Sequence, residues 1–202
     1  MKCLIYSRDD GGVSVGHISQ TVLAAMTGAG GLIRADRVDR EIDKFVNPPS
    51  PETGIPISVA TTFVNGIATG GMTEAAAIEA IRAKDQPAGV TTFVRDDTDI
   101  PADRTFRAAW EAPSGTVGVN MPKARVIHMG RIRVARNAEL VALDVTYLKA
   151  TEAGDTAAQT AIATQKQTLR DIPATYDLSG RSTPESLKAA IPTELADRMA
   201  AS

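Results

Sequence analysis

A chain with one cysteine can neither close a disulfide on itself nor build a cysteine-based metal cage, and Cys3 is the only one here. That suits a reducing cytoplasm. Aromatic residues make up only 4% of the sequence, with Trp110 the single tryptophan. A core must therefore be assembled mainly from Ala, Ile, Leu and Val. Such small side chains bury less area per residue, so helix packing or homo-oligomer formation is expected to supply part of the stability. No apolar run approaches the roughly 20 residues of a membrane-spanning helix, so no membrane partner is expected. The opening residues lack a basic stretch followed by an apolar one, so no secretory leader is expected either. A net charge of −2 gives the whole molecule no pull toward nucleic acid or anionic lipid.

The residues that carry catalysis are equally sparse. His17 and His128 are the only histidines, and neither has a carboxylate or thiol nearby at ligand spacing. Both read as partly exposed surface residues. Gly11-Gly12, Gly28-Ala29-Gly30-Gly31 and Gly70-Gly71 match no phosphate-loop spacing and read as turns and helix caps. The acidic run Asp96-Asp97-Thr98-Asp99 has no central glycine and is cut off by Pro101, so it reads as a solvated turn rather than a calcium loop. Ser14, Ser58 and Ser114 lie outside any nucleophile-elbow pattern. No catalytic residue, metal site or cofactor is expected, and the chain reads as a non-enzyme.

What remains is a sequence rich in helix and turn signals. Cys3–Tyr6 and Val13–Ile18 are short apolar runs joined by Asp9-Asp10-Gly11-Gly12, which predicts a β-hairpin. Arg34–Val46, Ser58–Ala68 and a segment from Thr73 to about Asp85 have helical periodicity. The first is stopped by Asn47-Pro48-Pro49-Ser50-Pro51, the second by Gly70-Gly71, and the third by Pro87 and Gly89. Val90–Arg95 is β-branched and aromatic and predicts a third strand. Gln20–Gly31 reads as a short helix or loop, and Arg104–Glu111 as a short helix or ordered turn.

The C-terminal half is the most regular. Pro122 to about Ala153 predicts one long helix. Ile127, Val134, Ala138, Val141, Val145 and Leu148 form one stripe on it, with Ile132, Leu143 and Tyr147 toward the other side, so it should pack against more than one neighbour. Gly154-Asp155 breaks it. A second helix, Thr156–Ile172, directs Ala158, Ile162, Leu169 and Ile172 inward, completing an antiparallel helical hairpin. Arg133, Arg136 and Asp144 on the first helix, with Arg170 and Asp171 on the second, are expected to form ion pairs across it. Lys123, Arg125, Arg131, Arg133 and Arg136 spread around the helix, a poor match to a nucleic-acid face. Thr183-Pro184-Glu185-Ser186 starts a short helix, and Thr193–Ser202 reads as a fraying tail. The expected organisation is an N-terminal α+β domain over residues 1–112, a helical hairpin over 116–175 and a C-terminal helix and tail over 176–202. The fold class is α+β.

Two segments resemble phage tail assembly chaperones. They are Ile132-Arg133-x-x-Arg136-Asn137-x-x-Leu140-x-x-Leu143-Asp144 and Gln167-Thr168-Leu169-Arg170-Asp171-Ile172-Pro173. The segments Ile100–Trp110 and Met121–Arg125, the opening Leu4–Tyr6 with Asp10–Val15, and Gly70–Glu74 are similar to parts of uncharacterised phage and prophage proteins. The chain departs from the chaperone pattern at Val145, where a tryptophan is common, and lacks a Trp-Pro-rich tail. The resemblance implies a bacteriophage protein that binds a tail or tail-fibre subunit during virion assembly in the host cytoplasm. The face implied is Arg133, Arg136, Val141, Asp144, Val145 and Leu148, with Arg170 and Asp171. A permanent virion component, such as a tail, neck or fibre-adaptor protein, is the alternative. A nucleic-acid-binding regulator is a third class.

Overall fold

The computed structural model describes residues 1–48, 54–86 and 89–200. Residues 49–53, most of the proline-rich stop, and Pro87 lie outside the described residues. The fold is α+β: a small antiparallel sheet with helices, then a long helical pair. The chain divides into two compact units. One comprises Met1–Ala102 with Glu111–Gly118, the other Asp103–Trp110 with Val119–Ser202.

In the first unit β1 (Lys2–Ser7) pairs antiparallel with β2 (Val13–His17), Ile5 opposite Val15. Gly11 takes the positive φ of 73° that the tight connection needs. The third strand, β3, covers Thr92–Asp96, two residues later at its start than the sequence suggests. It lies on the other side of β1, with Phe93 opposite Ile5, so the strand order is β2-β1-β3. The central strand is covered on both faces. Leu4 joins an apolar cluster with Ile18, Met26, Phe63, Val64 and Ile81. These come from the sheet, α1 (Gln20–Thr27), α3 (Ile57–Thr69) and α4 (Glu74–Asp85), with α2 (Val38–Val46) packed on α3. On the opposite face sit Cys3 and Ile5, both fully buried. Residues 111–118 cover that face: a Cβ on Gly115 would lie 2.3 Å from the Phe93 ring, and Arg95 Nη2 donates to the Ser114 carbonyl at 3.3 Å.

The glycine pairs that read as caps meet each other. Gly28 and Gly70 follow α1 and α3, Gly71 N–H donates to Gly28 O at 2.8 Å, and Gly31 N–H donates to Ala68 O at 2.9 Å. A Cβ on Gly70 would fall 2.2 Å from Gly28 O. This close backbone crossing holds two helix ends together, a role invisible in either motif alone.

The short strands β4 (Trp110–Glu111) and β5 (Gly118–Val119) pair as a ribbon. The segment preceding β4 is a single 3₁₀ turn, Arg107–Ala109. In the second unit α5 runs from Met121 to Glu152, started by Asn120, whose side chain accepts from Lys123 N–H at 3.0 Å. Gly154 at φ 70° turns the chain, and the Asp155 side chain caps α6 (Thr156–Thr175). The second helix passes beyond its expected end. Pro173 lies inside it, because the φ fixed by proline is itself helical and Tyr176 N–H closes the last turn on Ile172 O at 2.8 Å. Thr183 caps α7 (Pro184–Lys188) with a reciprocal Ser186 contact.

The tail expected to fray is instead packed over its described residues, 193–200. Thr193–Leu195 forms a 3₁₀ turn leading into α8 (Ala196–Ala200), with Leu195 fully buried. Arg198 Nη2 reaches Glu139 on α5 at 2.7 Å. The segment is Ala-rich and polar in composition, and a single buried leucine plus one ion pair outweigh that.

Candidate protein-docking face

The helix α5 has two apolar seams on different sides. Ala124, His128, Ile132, Ala135, Leu143 and Ala150 are buried. They advance by three or four residues or their multiples, so they stay on one side of the cylinder. They pack with Ile162, Leu169 and Ile172 of α6 and with Leu178, Leu187 and Leu195. The second seam is open. Val134 is 72% exposed, Val141 64%, Val145 54% and Leu148 58%, and Ala138 between them is exposed as well. Those positions also follow three-four spacing. Soluble proteins scatter single exposed apolar residues freely, but a contiguous row of branched side chains marks a surface meant to be covered.

Toward the start of α5 the open seam borders a groove of about 1090 Å³ within the second unit. Ile127, Val134, Ala138, Ile191 and Met199 give it apolar walls, and Arg131, Lys188 and Arg198 add cations. Each cation is held in place. Arg131 Nη2 donates to Thr105 O at 2.5 Å and its guanidinium lies 5.3 Å from the Phe106 ring centre. Lys188 Nζ is 3.0 Å from Asp103 Oδ2. Asp103 in turn sits at about 2, against the usual 3.8, chiefly through hydrogen bonds from the Thr105 hydroxyl and N–H, with Lys188 adding to them.

His128 lines this groove and is 3% exposed, which overturns the expectation of a surface histidine. It stands four residues after Ala124 and four before Ile132, on the inward seam. Its Nε2 is 2.8 Å from the Ala190 carbonyl. A carbonyl only accepts, so Nε2 carries the proton and a neutral ring leaves Nδ1 as a bare acceptor, without a partner among the described residues. His17 is exposed, as its sequence context suggests, and Asp97, brought in from 80 residues away, lies 2.9 Å from its Nε2. Among the described residues no three His, Cys, Asp or Glu side chains gather as a metal site, and no helix is long and apolar enough to cross a membrane.

The structure places the sequence-derived site residues unevenly. Val141, Val145 and Leu148 share the open seam. Asp144 does bridge the hairpin, but to Lys166 rather than to an arginine. Lys166 is mostly covered, with 14% of its side chain exposed, and Nζ lies 5.4 Å from the Tyr147 ring centre. Arg136 donates to the side chain of its neighbour Asn137, and Asp171 accepts from Gln167 at 2.9 Å. Among the described residues Arg133, Arg136 and Arg170 form no ion pair, so the expected arginine bridges are corrected to the single lysine one. The physical reason is placement: Lys166 stands between the inward Ile162 and Leu169, whereas Arg170 is exposed. Sequence reasoning missed Lys166, Ile191, Met199 and Arg198. For Lys166 the signal was present, three residues before an inward leucine. No family model, curated protein or solved structure matches this chain.

Proposed function

We propose that this chain is a non-enzymatic binding protein of virion assembly whose open α5 seam covers apolar surface on a phage tail or tail-fibre subunit until that subunit is built in. The observation that carries the reading is the row of four side chains, Val134 to Leu148, each more than half exposed. The partner's class rests on the resemblance of Ile132–Asp144 and Gln167–Pro173 to tail assembly chaperones. Covering each exposed side chain recovers roughly 1 kcal/mol, since part of each is already out of water. Micromolar binding needs about 8 kcal/mol net, so the seam alone falls short and the adjoining groove must contribute contacts. The unpaired Arg133 supplies a charge at the edge that selects an acidic partner and speeds encounter.

Co-expression tests this. A tail or tail-fibre subunit that is insoluble alone should become soluble with the wild-type chain and not with Val141→Asp/Val145→Asp. Equal rescue by both overturns the assignment of the face. Mass spectrometry of purified particles separates the transient role from the virion role. Presence at fixed copy number retires the chaperone reading in favour of a structural subunit.

A further inference from the structure

The open seam of α5 is complementary to itself. Its side chains are short, mostly β-branched, and spaced for knobs-into-holes packing against an identical helix. Charge fixes the orientation. The first half of α5 carries Lys123, Arg125, Arg131, Arg133 and Arg136 with no carboxylate before Glu139. None of those five cations forms an ion pair among the described residues; Arg125 and Arg131 donate to backbone carbonyls instead. The second half carries Glu139, Asp144 and Glu152 against a single Lys149, with Glu139 and Asp144 already paired to Arg198 and Lys166 of their own chain. Parallel pairing in register would place Arg131 on Arg131 and the basic half on the basic half. Antiparallel pairing separates the basic halves and brings Arg131, at one end of the seam, toward Glu152 at the other end of the second copy's seam.

We propose that two copies of this chain pair antiparallel through their α5 seams. Seam spacing selects the register. With Val134 across from Val145 of the second copy, Ala138 faces Val141 of the second copy and the stem of Arg131 covers its Leu148. Glu152 of the second copy then lies one turn beyond, within reach of the guanidinium. Sliding by one heptad in one direction sets Leu148 opposite Ala124, which is fully buried in its own chain and cannot be a partner, and in the other direction sets Val134 opposite the Glu152 carboxylate. The arrangement is isologous, so each groove beside Ile127 and Val134 receives the far end of the other copy's α5. It uses the face of the docking reading and does not depend on that reading: self-pairing would cover the seam whenever no other partner occupies it.

The test uses the full-length chain. Sedimentation equilibrium should give a dimer at micromolar concentration, and Val141→Asp should give a monomer with unchanged helicity, since Val141 is exposed and not part of the fold. Orientation is read by disulfide trapping. Native Cys3 is fully buried, so the wild type supplies the blank. A mixture of Val134→Cys with Val145→Cys chains should cross-link about tenfold faster than either alone, because only the mixture places two thiols at contact distance. A wild-type monomer at every concentration overturns the proposal. So does Val134→Cys cross-linking to itself as fast as the mixture, which marks parallel pairing. If the chain proves monomeric yet still solubilises a tail subunit, self-pairing fails and the docking reading stands. A dimer that solubilises none reverses that outcome.

Discussion

Truncating two leucines of the hairpin to alanine separates its structural side from its binding side. Leu169 on α6 is fully buried, whereas Leu148 on α5 is 58% exposed. The same atoms are removed in each case. At Leu169 the loss includes transfer of the side chain and the void left in the apolar cluster it shares with Leu143, Ile162 and Ile172, so the cost is about 3 kcal/mol within the usual range of roughly 2–5. At Leu148 less than half of the side chain is out of water and no closed cavity forms, so the cost is under about 1 kcal/mol. For a chain of this size about 1 kcal/mol moves the melting temperature by roughly 2–4 °C. Leu169→Ala should therefore melt roughly 6–12 °C lower, and Leu148→Ala within about 4 °C of wild type. Circular dichroism at the helix band gives both values. Binding to a tail subunit should show the reverse order, with Leu148→Ala weaker and Leu169→Ala unchanged below its melting point. Equal thermal shifts for the two variants would refute the assignment of inner and outer seams.

Other consequences are as direct. Gly70→Ala should destabilise the first unit by at least about 2 kcal/mol, since it combines a positive φ with a Cβ placed on the Gly28 carbonyl; urea denaturation would measure it, and a neutral result would mean the helix ends do not cross closely. A double-mutant cycle on Lys166 and Asp144 should give a coupling of about 0.5–1 kcal/mol, because Lys166 is mostly covered but Asp144 is not. Pairing either residue with Arg170 in the cycle should give none. Asp103→Asn should melt below wild type at neutral pH. The lowered carboxyl gives stability that is complete above 3.8 and lost as pH falls toward about 2, so the gap between the two proteins should close across that window. A constant gap would mean that the Asp103 charge contributes nothing. In native protein Cys3 should resist alkylation and react once unfolded, because burial, reinforced by Asp97 and Asp96, raises its thiol above the usual value.

Periodicity made the helices and the hairpin legible. The two apolar sides of α5 follow from counting residues, and so does the inward row of α6. What periodicity could not tell is which side would be covered. The buried seam reads as Ala, His, Ile, Ala and Leu, less apolar than the open one of Val, Val, Val and Leu. Burial went to the side where small residues let α6 and the chain end approach closely. The burial of His128 is hidden for the same reason, since its partner, the Ala190 carbonyl, lies 62 residues away and carries no side-chain signature. The glycine pairs were read correctly as helix ends, but their contact is a tertiary fact that no local pattern encodes. The tail's order likewise depends on Leu195 finding a cavity that only the folded unit supplies.

Photo-cross-linking during assembly tests the docking face most directly. A photoreactive residue at Val145 reports on the open seam, and one at the exposed Thr164 of α6 reports on a polar surface. Irradiation of cells producing particles should join the Val145 probe, and not the Thr164 probe, to a tail or tail-fibre subunit. Equal labelling from both positions, or none from Val145 while assembly proceeds normally, would contradict the seam as the place where the partner binds.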